Sequence, residues 1–150
     1  MTDREVRQGV LDDIGAAIDA LGTALGALGS AYELLDERSA DRLEEELFGP
    51  VQKGYGRAKR TYADFAARYA LDTATFAQPG STSGSRDVRR FLDTAIAAVD
   101  EADEVLIELQ DSGQTVDYGD ADLRAGLAGV RELVGNVRAS SRLFMRTLGR

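Results

Sequence analysis

Four stretches of the chain place apolar residues in alternating steps of three and four, the period of helices that pack along a seam. In the first, Val10, Ile14, Ala17, Leu21, Ala24, Leu28, Ala31 and Leu35 keep this beat, and a second row, Leu11, Ile18, Leu25 and Tyr32, widens the stripe. The second stretch carries Val51, Tyr55, Ala58, Tyr62, Phe65 and Tyr69; within it the aromatics Phe48, Tyr55, Tyr62, Tyr69 and Phe76 recur every seventh residue. The third runs through Val88, Leu92, Ala95, Val99, Ala102, Leu106 and Leu109, and the fourth through Leu123, Leu127, Val130, Val134, Val137, Ser141, Phe144 and Leu148. A stripe this broad belongs to a core-facing bundle helix. The expected fold is therefore all-α, an antiparallel up-down four-helix bundle in one domain, 1–150, with helices over about 3–38, 40–76, 86–112 and 120–148.

Boundary signals refine these spans. Thr2 and Glu5 form a Thr-x-x-Glu capping box, Ser85 is the expected cap of the third helix, and Gly113 its stop. Residues 78–85 and 112–119 read as loops by their Gly, Ser, Pro and Asp content. Phe48-Gly49-Pro50 is a stronger stop than anything near Ser39, so helix one either ends near Arg38 or continues to Phe48. The first alternative gives four rods of similar length and is the one expected, with Pro50 a kink in helix two or the start of a fresh segment. Charge follows the same division: residues 1–46, 47–80, 81–113 and 114–150 carry −8, +3, −5 and +2. Alternating signs suit consecutive helices lying side by side, although each surface pair contributes only ~0 to 1 kcal/mol.

Composition excludes much chemistry. Neither cysteine nor histidine occurs in the 150 residues. Thiolate nucleophiles, disulfides, the commonest general base and the commonest transition-metal ligand are thereby removed. The Glu-x-x-His half of a di-iron carboxylate site cannot form, and the seam rows hold no Asp or Glu. Asp100, Glu101, Asp103, Glu104 and Glu108 read as a solvated outer face rather than a cation site. The stretch "GPVQKGYG" lacks the order of a phosphate loop. A net charge of −8 opposes nucleic acid and anionic membranes, so the arginines 124, 131, 138, 142, 146 and 150 of the last helix read as structural, or as docking for an acidic protein. The longest uncharged run in helix one, 20–32, has 13 residues against the ~20 needed to span a bilayer. With no basic-then-apolar start, the expected location is cytoplasmic.

Two features stand out as candidate sites. Gly15, Gly22 and Gly29 are spaced by seven, and Gly26 completes a Gly-x-x-x-Gly pair with Gly22. Each interior glycine costs ~1 kcal/mol relative to alanine, and glycine rows admit a second backbone, so these four mark a possible homodimer contact. Tyr55, Tyr62 and Tyr69 either fill the core or line a pocket for a small apolar ligand. No family signature is recognised, and bundles serve unrelated functions. The resulting expectation is a non-catalytic interaction or assembly module without cofactor or metal, self-associating or binding another protein; the alternative is a carrier or sensor of an apolar ligand.

Overall fold

The structure, a computed structural model, describes residues 1–77, 80 and 86–148. Every regular element among the described residues is helical: α1 (Asp3–Leu34), α2 (Glu37–Leu43), a π-helical turn (Glu44–Phe48), α3 (Gly49–Tyr69), α4 (Val88–Asp111), α5 (Gly113–Tyr118), α6 (Ala121–Val134) and α7 (Val137–Leu148). Five of these helices have 12 residues or more.

Local chemistry sets the ends. Thr2 Oγ1 accepts the Glu5 N–H at 3.1 Å and donates to Glu5 Oε1 at 3.2 Å, so the Thr-x-x-Glu pair closes through the hydroxyl. α1 stops at Leu34 rather than near 38, because Leu35 turns extended and Asp36 caps the next helix by accepting the Ser39 N–H. From α2 the helical path continues through Pro50. A proline N lacks the hydrogen a helix would use, and the turn before it widens: the Gly49 N–H bonds Glu44 O, five residues back, in place of an ordinary turn. A π turn thus stands just before Pro50, where the sequence predicts a kink or a fresh segment. Asp87, which accepts the Arg89 N–H at 3.0 Å, caps α4; the expected cap Ser85, with most of the loop 78–85, lies outside the described residues. Gly135 and Asn136 split the expected 120–148 helix into α6 and α7.

Helix two ends earlier than 76. Ala70 sits at φ 52°, a left-handed conformation that alanine adopts at a cost, and the Leu71 N–H returns to Ala66 O at 2.9 Å to close the helix end. The chain then runs extended along α1. Gln8 holds Asp72 by two bonds to its backbone N–H and C=O, each 2.9 Å, and Ala74 donates its N–H to the Tyr62 hydroxyl. Phe76 is thus no rung of a helix: its ring meets Tyr62 edge-on, centroids 4.9 Å apart.

That return strand of coil changes the path. α1 packs against α3 and α4, α3 against α6, and α4 against α6 and α7. Gly15 faces Tyr62 and Gly22 faces Tyr55, so α3 runs opposite to α1. Glu108 lies near Asp13, and Arg7 donates to the Tyr118 carbonyl at 2.9 Å, so α4 also runs opposite to α1. α6 opposes both, through Thr61 against Gly126 and through Arg131 to Asp103. The strictly consecutive up-down-up-down path is not followed, because residues 71–77 carry the chain back along α1 before α4 begins.

Two acidic segments consequently meet. Asp13 has its carboxyl pushed above the ordinary value of 3.8, first by partial burial and then by Asp12 and Glu108. A raised carboxylate is a cost at neutral pH that disappears once it is protonated in both states. Asp13→Asn should therefore stabilise the fold at pH 7 by a few tenths of a kcal/mol, limited by solvent screening. The gain should vanish below pH 3.8 in denaturant titrations.

Asp120 behaves oppositely. It accepts the Leu123 N–H at 2.7 Å, both Arg68 guanidinium nitrogens at 2.7 and 2.8 Å, and the Tyr69 hydroxyl at 3.1 Å. Burial pushes this carboxyl up, but the bonds from Arg68, Leu123 and Tyr69 outweigh it and hold it below 3.8. Its contribution is present above pH 3.8 and lost as pH falls through the lowered value. Asp120→Asn is expected to cost ~1–2 kcal/mol at pH 7. That gap should narrow in acid, as read by stability curves at several pH values.

Candidate functional site

The glycine row and the tyrosine row turn out to be two sides of one contact. A Cβ on Gly15 would lie 3.5 Å from the Tyr62 ring and 3.6 Å from Phe76, and one on Gly22 would lie 3.6 Å from Tyr55. Both rows repeat by seven, so antiparallel α1 and α3 bring them into step. Gly26 is buried, and Gly29 is half-buried, with nothing within 4 Å of a Cβ built on it. Of the four glycines, Gly29 lines a surface groove at the end of α1.

The tyrosines have partners of their own. Tyr55 and Tyr62 are buried, with Lys59 Nζ 5.2 Å from the Tyr55 ring centroid. Burial, with Asp19 nearby, pushes the Tyr55 hydroxyl pKa up. Tyr69 lies under the Arg7 guanidinium at 4.1 Å and donates to Asp120. Among the surface grooves, three lie on α1, α3, α6 and the π turn, and none of these three is lined by Tyr55, Tyr62 or Tyr69.

Glycines that packing does require lie elsewhere. Where α3 crosses α6, a Cβ on Gly126 would overlap the Thr61 side chain, and one on Gly54 would fall 2.6 Å from Val134 Cγ1. Thr61 itself is buried and donates to Arg57 O at 2.9 Å. Sequence reading missed this pair because neither glycine belongs to a periodic row. Beside the seam run two grooves of about 190 and 710 Å³ that share Arg57. Their linings mix Lys53, Arg60 and Arg68 with Asp64, Asp122 and Glu132, so no single-sign field builds up to capture an anion.

The acidic run of α4 is divided among partners. Asp103 receives Arg131 at 2.9 Å and Asp100 receives Arg138 at 3.1 Å. Arg131 also donates to Gln110. The arginine stripe is thus partly structural, whereas Arg142 and Arg146 are exposed and form no ion pair with a described residue; Arg150 lies outside the described residues. Among the described residues, no three Asp or Glu side chains converge as a bound metal would require.

The third groove, about 280 Å³, opens where α1 ends and the π turn begins. Gly29, Tyr32, Glu33, Glu44 and Phe48 line it. Tyr32 and, two residues on, Leu34 are 40% and 41% exposed. α1 is long and apolar enough by length and composition to cross a membrane, but 72% of its most apolar window is buried within the molecule. Comparison with protein-family models, curated proteins and solved structures finds no match for this chain.

Packing at the two kinds of glycine gives opposite expectations. Gly126→Ala should destabilise by ~1–3 kcal/mol through overpacking against Thr61. Gly9→Ala, in open space on α1, should stabilise by ~1 kcal/mol through helix propensity. Thermal and chemical unfolding of the two variants measures both.

Proposed function

We propose that the chain is a non-catalytic interaction or assembly module, its α1, α2–α3, α4 and α6–α7 forming the four rods of a helical bundle, and that it works as a homodimer. The observation that carries this reading is the division between interior and surface. No charged side chain is buried among the described residues; the buried polar residues are Ser30, Thr61, Thr115 and Ser141. Thr115 Oγ1 and Ser141 Oγ are buried, and neither hydroxyl is hydrogen-bonded to a base among the described residues. A nucleophile needs such a base, and a general acid or base needs a pKa tuned by its surroundings within reach of substrate. The strongly bonded ionisable groups instead tie helices together, as Asp120 does.

Self-association is supported by the exposed Tyr32, Leu34 and Leu143, which neighbour Glu33 and Arg142 in sequence, charges without an ion-pair partner among the described residues. Such apolar surface rimmed by polar groups is what protein contacts use. Tyr55 and Tyr62 pack on the α1 glycines, Tyr62 and Tyr69 are hydrogen-bonded, and the three grooves described are not lined by any of these tyrosines, which favours the assembly reading over the carrier. Native mass spectrometry of protein purified from its natural host is expected to show a dimer without a small-molecule adduct. A monomer at every concentration would overturn the assembly reading, and a stoichiometric organic passenger would replace it with the carrier.

A further inference from the structure

One groove and one helix face carry complementary features at the same end of the molecule. The groove lined by Gly29 offers apolar surface from Tyr32 and Phe48, together with the carboxylates of Glu33 and Glu44. Neither carboxylate forms an ion pair with a described residue. On α7, Leu143 is 57% exposed, with Ala139 one turn before it and also exposed. Arg142 and Arg146 flank this strip, and both guanidiniums are likewise unpaired among the described residues.

These charges are separated by construction. α7 turns its buried face, Val137, Ser141 and Phe144, toward α4 and the π turn. Leu143 and its two arginines therefore point outward, and Leu143 is not part of the groove lining. The π turn packs against both α1 and α7, so groove and helix face flank it on one end of the molecule. A second copy can satisfy both at once, since a two-fold axis at that end presents each copy's helix face to the other's groove.

We propose that the groove is the docking site for α7 of a second copy: Leu143 enters between Tyr32 and Phe48 above Gly29, while Arg142 and Arg146 meet Glu33 and Glu44. The arrangement is a helix in an apolar groove with charged rims, and it uses Gly29, the member of the α1 glycine row that lines this groove. The missing Cβ at Gly29 lets the incoming leucine approach the α1 backbone. The proposal rests on the homodimer reading and adds where the contact lies and what makes it.

Sedimentation velocity from roughly 1 to 500 µM tests it, since self-association follows concentration. Four proteins are compared: the unaltered chain, Glu33→Arg with Glu44→Arg, Arg142→Glu with Arg146→Glu, and Leu143→Asp. All altered side chains border the surface, and circular dichroism confirms that each variant remains helical. The unaltered chain should dimerise, and each variant should weaken dimerisation by at least about tenfold, as opposed like charges do. Mixing the two charge-reversed proteins one to one should restore a heterodimer, because both reciprocal contacts regain opposite signs. An unaltered chain that stays monomeric overturns the homodimer reading and the docking site together. A dimer indifferent to these substitutions, or reversed variants that fail to recover on mixing, overturns the docking site alone.

Discussion

Covering α1 is the constraint from which the other contacts follow. Half of its 32 residues are buried, and from Ala24 to Ala31 only Gly29 retains any substantial exposure. Each fully buried leucine or isoleucine contributes ~1.5–3 kcal/mol, and Leu11, Ile14, Ile18, Leu21 and Leu28 are all at 1% exposure or less. Two flanking helices cannot enclose a rod on every side. α3 and α4 take the broad faces, α2 and the π turn close over its C-terminal end, and α5 covers part of its beginning. A helix apolar nearly all round therefore finds its cover within its own chain.

The same requirement explains why charge does not follow the order of the sequence. An alternation of acidic and basic segments implies that neighbours along the chain are neighbours in space, and here the two most acidic segments share the largest contact instead. Burial wins because each apolar side chain outweighs an exposed ion pair, which contributes ~0 to 1 kcal/mol. Arginines then arrange themselves around the packed helices where they can. Arg131 and Arg138 reach α4, Arg68 reaches Asp120, and Arg7 lies over Tyr69. Asp13 bears the residual repulsion. Electrostatics fine-tunes a fold decided by apolar area.

Helical content and the identity of the core were legible because one-sided burial imposes a period on the residues. Val10 through Ala31, Val51 through Phe65 and Leu92 through Leu109 occupy the interior as their spacing requires. Connection order was not legible, since period says which face is buried and nothing about which neighbour buries it. Phe76 shows the limit: it keeps the seven-residue beat yet sits in extended chain, held by Tyr62 and Gln8 across the fold. Gly15 and Gly22 stood out by their row, but a methyl would fit against the rings they face. Gly54 and Gly126, which do require the missing Cβ, are isolated in sequence and are recognisable only once α3 is laid on α6. Nothing in the spacing marked Glu33 and Glu44 as neighbours, because the π turn that brings them together arises from Pro50 downstream.

What remains outside the core decides how such a molecule can act. A hydrated arginine loses little by standing alone, so an unpaired charge by itself argues nothing. Leucine at 57% exposure and tyrosine at 40% are different, because exposed apolar area keeps its cost until something covers it. Here the apolar and charged features coincide: acids rim the concave patch, arginines flank the convex one, and both sit beside the π turn. Covering either patch with an apolar partner alone would strip water from charges without replacing it. The proposed docking therefore calls for a partner that brings leucine and guanidinium together, and α7 of the same chain is a helix of that description.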